Sequence, residues 1–166
     1  MRAKYFVVAL AAMLASVHGL SITVPGTKWC GPGNIADNYN DLGSEIELDK
    51  CCRQHDHCEE KISPDTQKYG LTNDGFFPIF SCDCELAFRL CLNALHNMES
   101  AALGRIYFST TNVCFAYGPP IVSCQEQQWD HFMKRCLTYS EDVSQPARWQ
   151  FYDLPFYTHP REEEEK

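Results

Sequence analysis

Apolar and polar positions along the chain change their period from segment to segment. From Asp49 to about Ser63 no Gly or Pro interrupts the run, and acidic and basic residues alternate around apolar and Cys positions. That pattern predicts a helix with Asp49 as its N-cap. A second helix is predicted from Cys84 to about Ala102, where Cys84, Phe88, Cys91, Leu92 and Leu95 recur at i, i+4, i+7, i+8 and i+11. Ser21 to Asp41, rich in Gly, Pro, Asn and Asp, reads as loop, and Pro64 to Phe80 as a long connection. Ile106 to Phe108 and Val113 to Tyr117 read as a short β-hairpin. Beyond Pro119-Pro120 the periodicity weakens, and no internal repeat is found. The expected fold class is mainly α with a small β-hairpin.

The first residues have a separate meaning. Arg2 and Lys4 precede an uncharged, mostly apolar run from Tyr5 to Val17, with small residues at Val17 and Gly19. A run of about 13 residues is too short to span a bilayer, which takes roughly 20, and matches a secretory signal peptide. Residues 1–19 are therefore expected to be removed, leaving a secreted, extracellular chain that starts at Leu20. No later segment is long and apolar enough to span a membrane. The formal charge is −8, and no cluster of Lys and Arg is present, which excludes a nucleic-acid binder. Residues Arg161 to Lys166 form a charged tail, expected to be disordered.

Secretion changes how the ten cysteines are understood. In an oxidising compartment they read as five disulfides, and a zinc site built from His55, His57, Cys52 and Cys58 is disfavoured. Cys51 and Cys58 are seven residues apart on the first predicted helix, as are Cys84 and Cys91 on the second. Seven helical residues span about 10.5 Å, too far for either pair to close on itself. Each pair lies on one helix face, so the two helices can be stapled twice. An antiparallel arrangement gives Cys51–Cys91 and Cys58–Cys84; a parallel one gives Cys51–Cys84 and Cys58–Cys91. Consecutive helices usually neighbour each other antiparallel, which favours the first.

Cys52 points about 100° away from Cys51 and shares its face with His55 and Asp56, at i, i+3 and i+4. A bond from Cys52 to Cys30 would bring Trp29-Cys30-Gly31-Pro32-Gly33 against that face. A Gly-rich loop can aim backbone carbonyls inward, and carbonyls with a carboxylate suit Ca²⁺. Asp56 is the nearby carboxylate, and His55 is a candidate general base.

The string Cys51-Cys52-Arg53-Gln54-His55-Asp56-His57-Cys58, with Trp29-Cys30-Gly31-Pro32-Gly33, resembles the secreted phospholipases A2 of the group III, bee-venom type. Further matches are Pro25-Gly26-Thr27, Gly70-Leu71-Thr72-Asn73, Ser81-Cys82-Asp83-Cys84 and Tyr107-Phe108. The resemblance covers Pro25 to Cys124, and more loosely Cys136 to Leu154. It implies a disulfide-rich phospholipase A2 fold with two antiparallel helices stapled by disulfides. The implied pairs are Cys30–Cys52, Cys51–Cys91, Cys58–Cys84, Cys82–Cys114 and Cys124–Cys136. It implies a catalytic domain over residues 20–137, followed by a C-terminal extension over residues 138–166.

The implied activity is calcium-dependent hydrolysis of the sn-2 ester of glycerophospholipids at membrane surfaces, by a peripheral and monomeric enzyme. Carbonyls of Trp29, Gly31 and Gly33 with the Asp56 carboxylate would bind Ca²⁺. His55 would activate water, and the Gly31 N–H would help stabilise the oxyanion. Glu85 and Tyr107 would orient His55. Glu85 departs from the family pattern, which has Asp there, so the carboxylate must be re-aimed across one extra methylene. Phe76, Phe77 and Ile79 form an apolar loop suited to docking on lipid, with Ile22 and Val24 as weaker candidates for the same face. The alternative is a phospholipase-fold toxin or ligand of a cell-surface receptor with weak or no hydrolysis; Glu85 is its only foothold.

Overall fold

Helix α1 runs from Ile46 to Asp56 and buries Leu48, Asp49, Cys51, Cys52 and His55 on one side. It begins nearly a turn before the expected start, and Asp49 is not its N-cap. That carboxylate is wholly buried and faces away from its own helix, toward the loop before it. At the other end, His57 and Cys58 donate back to the carbonyls of Arg53 and His55, and the helix stops well short of Ser63. The chain turns there because Lys61–Ile62 (β1) pairs with Ile79–Phe80 (β4), which buries Ile62 completely. The computed structural model describes residues 23–130 and 133–158. The expected signal peptide, Ile22 and the charged tail lie outside them.

The connection between the helices is not bare loop. Thr66–Lys68 (β2) and Leu71–Asn73 (β3) form a small antiparallel hairpin, closed by Tyr69 and Gly70 at positive φ.

The single helix expected from Cys84 to Ala102 is two. Helix α2 spans Cys82–Ala94, capped by the Ser81 hydroxyl, which accepts from the Cys84 N–H. Helix α3 spans Met98–Thr110, capped by the Asn97 side chain, which accepts from the Ser100 N–H at 2.8 Å. His96 sits at φ 51° between them. A left-handed residue followed by an Asn cap ends one helix and starts the next, and it overrides the continuing apolar period.

The expected hairpin at 106–117 is also replaced. Ile106 to Phe108 lies inside α3. Val113–Gly118 (β5) does form a strand, but its antiparallel partner is the distant Arg148–Asp153 (β8), with Phe115 opposite Phe151. Ile121–Asp130 (β6) and Met133–Glu141 (β7) make a long antiparallel ribbon with register shifts, stapled by Cys124–Cys136. Among the described residues 28% are helical and 31% are in strands, so the fold is mixed and not mainly α. Residue 137, the expected end of the catalytic domain, lies within β7.

Disulfides join Cys30–Cys52, Cys51–Cys91, Cys58–Cys84, Cys82–Cys114 and Cys124–Cys136. The second and third tie opposite ends of α1 and α2 together, which makes the pair antiparallel. At roughly 2–4 kcal/mol each, such links carry much of the stability of a chain this small. The core lies between the helices and β5, with Trp29, Leu48, Phe88, Leu92, Phe108, Leu154 and Tyr157 buried together.

Candidate active site

His55 stands near the C-terminal end of α1, where its face meets α2 and α3. Only 7% of it is exposed. Its ring stacks on Phe88 at 4.4 Å, leans on Phe80 at 4.3 Å, and meets the edge of Tyr107. These three walls fix the plane of the imidazole. Glu85, from the first turn of α2, is fully buried. Its Oε1 accepts the Tyr107 hydroxyl at 2.8 Å. The same hydroxyl lies 3.2 Å from His55 Nε2. Glu85 Oε2 is 3.6 Å from that nitrogen and, among the described residues, has no hydrogen-bond partner.

The order of donors follows. Burial first, and then the Glu85 charge, push the Tyr107 hydroxyl far above its ordinary range, so it stays protonated. Its proton goes to Glu85. The hydroxyl oxygen is then free to accept from His55 Nε2–H, which leaves Nδ1 as the unprotonated nitrogen. Glu85 thus reaches His55 through Tyr107, its own Oε2 standing 3.6 Å from Nε2.

Asp56 follows His55 at the end of α1. Burial pushes its carboxyl up to about 6, only partly offset by His55, His57, Lys61 and a hydrogen bond from the Asn34 side chain. The beginning of the Gly-rich loop is held by Asp49, which accepts N–H bonds from Lys28 (2.9 and 3.0 Å), Trp29 (2.7 Å) and Gly43 (2.8 Å). The Cys30–Cys52 bond holds its middle.

Two of the loop carbonyls are committed to backbone hydrogen bonds. Those of Lys28 and Cys30 accept from Ile35 and Val24, both at 2.8 Å. Those of Trp29, Gly31 and Gly33 accept no backbone hydrogen bond among the described residues. Gly33 sits at φ 89°, where a side chain would be strained. Uncommitted carbonyls, those of Trp29, Gly31 and Gly33 among them, together with a carboxylate supply the kind of oxygen donor that suits a divalent cation. Among the described residues no group of three or more His, Cys, Asp or Glu could hold a metal, so a cation here would depend on the backbone.

The apolar loop divides. Phe76 is 95% and Phe77 67% exposed. Ile79 is half-buried in β4, and Val24 is packed against the core. The loop is braced from inside by the Asn73 side chain, which donates to the carbonyls of Ile62 and Phe77 and accepts from the Gly75 N–H. The rings are thus presented on a fixed turn.

Sequence reasoning gave Asp49 the wrong role, as an N-cap, and gave Asn73 no role beyond its place in the family string. For Asp49 a signal existed: it stands at i with Cys52 at i+3 and Asp56 at i+7, so it shares their face.

The family model described as Phospholipase A2 matches residues 23–118. A phospholipase A2 of Bombus pensylvanicus is 39% identical over 138 residues, covering 82% of this chain and all of the relative. That of Apis mellifera is 38% identical over the same length, covering 82% and 80%. Phospholipase A2 phaiodactylipin of Anuroctonus phaiodactylus is 57% identical over 76 residues, covering 46% and 47%. The comparisons and the disulfide-stapled helix pair agree: the chain belongs to the phospholipase A2 family, in its group III, bee-venom type.

Proposed function

We propose that this phospholipase A2 is calcium-dependent and works peripherally, as a monomer, on the sn-2 ester of glycerophospholipids, after secretion and loss of residues 1–19. His55 Nδ1 takes a proton from water as the water oxygen attacks the ester carbonyl carbon. The bond between the acyl carbon and the glycerol sn-2 oxygen then breaks, and His55 returns the proton to that leaving oxygen, giving a lysophospholipid and a fatty acid. Tyr107 and Glu85 hold the imidazole in the tautomer this requires. The Gly31 N–H donates to the developing oxyanion. The carbonyls of Trp29, Gly31 and Gly33 with Asp56 would hold Ca²⁺, which when bound supplies Lewis acidity and charge for the substrate phosphate. Phe76 and Phe77 enter the lipid surface; loss of Arg2 and Lys4 with residues 1–19 takes the net charge from −8 to −10, so bulk attraction to anionic headgroups cannot do that work.

The observation that carries this reading is the chain Glu85–Tyr107–His55 on one side of the imidazole, with the Asp49-held loop and Asp56 on one face of α1. A non-hydrolytic toxin or receptor ligand has less support, since Glu85 still engages the orienting hydroxyl.

The test is fatty-acid release from phosphatidylcholine vesicles by wild type and His55→Gln, with Ca²⁺ and with a chelator. Release of the sn-2 chain that needs both Ca²⁺ and His55 is expected. Undiminished release by folded His55→Gln, or in chelator, would overturn the mechanism.

A further inference from the structure

The family match ends at residue 118, yet the described chain returns to the helices far beyond it. Leu154 to Tyr157 lies against α2 and α3 as a strap. Arg135, almost wholly buried, ties one end: its guanidinium donates to the carbonyls of Leu154 (2.9 Å) and Phe108 (2.6 Å) and stacks on Phe156 at 4.0 Å. Arg89, one helical turn after Glu85 on α2, ties the other. It donates to the carbonyls of Phe156 (3.1 Å) and Pro155 (2.5 Å), and lies 4.1 Å over the Phe108 ring.

The Tyr157 ring is set parallel to Phe108, 5.7 Å away with 4° between planes. Phe108 leans on Phe88 at 6.2 Å, and Phe88 stacks on His55 at 4.4 Å. An aromatic column thus runs from the strap to the imidazole. Phe108 is also next in sequence to Tyr107, whose hydroxyl contacts His55. Opposite the strap, α3 presents Gly104, where an added Cβ would come within 2.3–2.6 Å of three Tyr157 ring carbons. The absence of a side chain there lets the ring sit flat on the helix. The Tyr157 hydroxyl is buried and, among the described residues, has no hydrogen-bond partner. The ring is what is used, and not its oxygen.

We propose that Tyr157 is a positioning residue of the active site: its ring, seated on Gly104, fixes Phe108 and so holds Phe88 and Tyr107 in place against His55. This rests on His55 as the base proposed above. A misplacement of about 1 Å in a catalytic group costs on the order of a hundredfold in rate. The strap therefore belongs to the catalytic unit and not to an appendage.

The test compares full-length Tyr157→Phe, Tyr157→Ala, Gly104→Ala and the Gly104→Ala/Tyr157→Ala double variant on phosphatidylcholine vesicles. It reads kcat and KM per folded molecule, with Tm measured beside them. Tyr157→Phe keeps wild-type kcat. Tyr157→Ala and Gly104→Ala each lose about tenfold or more in kcat with KM within about twofold. In the double variant the Gly104 change adds no further loss, because the ring it displaces is gone. A kcat within twofold of wild type in folded Tyr157→Ala overturns the proposal, whatever happens to Tm, since only a packing role would then remain. If Tyr157→Ala does not fold, Tyr157→Leu, which fills the space without a flat ring, is judged by the same criterion. His55→Gln in the same assay separates the two failures. Activity kept there refutes His55 as base; activity lost there with Tyr157→Ala unaffected refutes the strap alone.

Discussion

Asp49 and Asp56 stand two turns apart on one helix face and do opposite jobs. Asp49 accepts from backbone N–H groups of Lys28, Trp29 and Gly43, so its carboxylate shapes the start of the Gly-rich loop. Asn in its place keeps one carbonyl acceptor but loses the charge, and hydrogen bonds to a charged acceptor are worth about 1.5–3 kcal/mol. Asp49→Asn is expected to weaken Ca²⁺ binding about tenfold or more, read by equilibrium calcium titration of the folded protein; unchanged affinity would remove Asp49 from the loop's support. Asp56 shows its burial as a raised pKa. Its carboxyl moves from 3.8 in the unfolded chain to about 6 when folded. A raised pKa means that the protonated form is favoured by folding. Its contribution to stability is therefore fully present below about pH 4 and is lost as pH rises through about 6. In chelator, Tm should carry a declining component across that window, absent in Asp56→Asn and suppressed by Ca²⁺. A calorimetric Tm series with and without calcium checks it. Same-face spacing made Cys52, His55 and Asp56 legible in the sequence. It misassigned Asp49 because an acid ahead of an apolar run also looks like an N-cap.

Element boundaries were the least legible features, for local reasons. The apolar period runs unbroken from Cys84 past Leu95, and only His96 at positive φ with the Asn97 cap interrupts it. Removing that cap by Asn97→Ala should cost about 1 kcal/mol in chemical denaturation, the usual value of a side-chain cap. The loop between β3 and β4 was legible as apolar but not as rigid, because the Asn73 brace depends on contacts with Ile62 and Phe77. That brace makes a sharp expectation. Each exposed phenylalanine inserted into lipid is worth about 1.5–3 kcal/mol. Phe76→Ala/Phe77→Ala should therefore weaken binding to phosphatidylcholine vesicles by a hundredfold or more, on the order of 3 kcal/mol. Hydrolysis of a monomeric short-chain substrate should stay near wild type. Equal loss on both substrates would mean that the rings serve folding or the active site and not the lipid surface.

At the scale of the molecule, the sequence hid what joins its two ends. β5 pairs with β8 across some thirty intervening residues, in the register that sets Phe115 opposite Phe151. No local period announces a partner at that distance; weak alternation after Pro119-Pro120 looked like an extension. The structure gives that region two tasks. β8 covers β5, whose Cys114 is bonded to Cys82 at the start of α2, and the strap after it covers Phe108. A chain ending at Leu137 would leave the unpaired edge of β5 open and uncover Phe108, which is wholly buried in the full chain. Loss of a strand pair and of an aromatic core contact is comparable with the roughly 5–15 kcal/mol by which a domain is held folded. Such a truncation is expected to show no cooperative thermal transition by circular dichroism and no lipase activity. A chain ending at Thr158 keeps β8, the strap and every disulfide, and is expected to melt and turn over like the full protein. A folded, active enzyme ending at Leu137 would instead return the C-terminal region to the status of an appendage, and would take the role of Tyr157 with it.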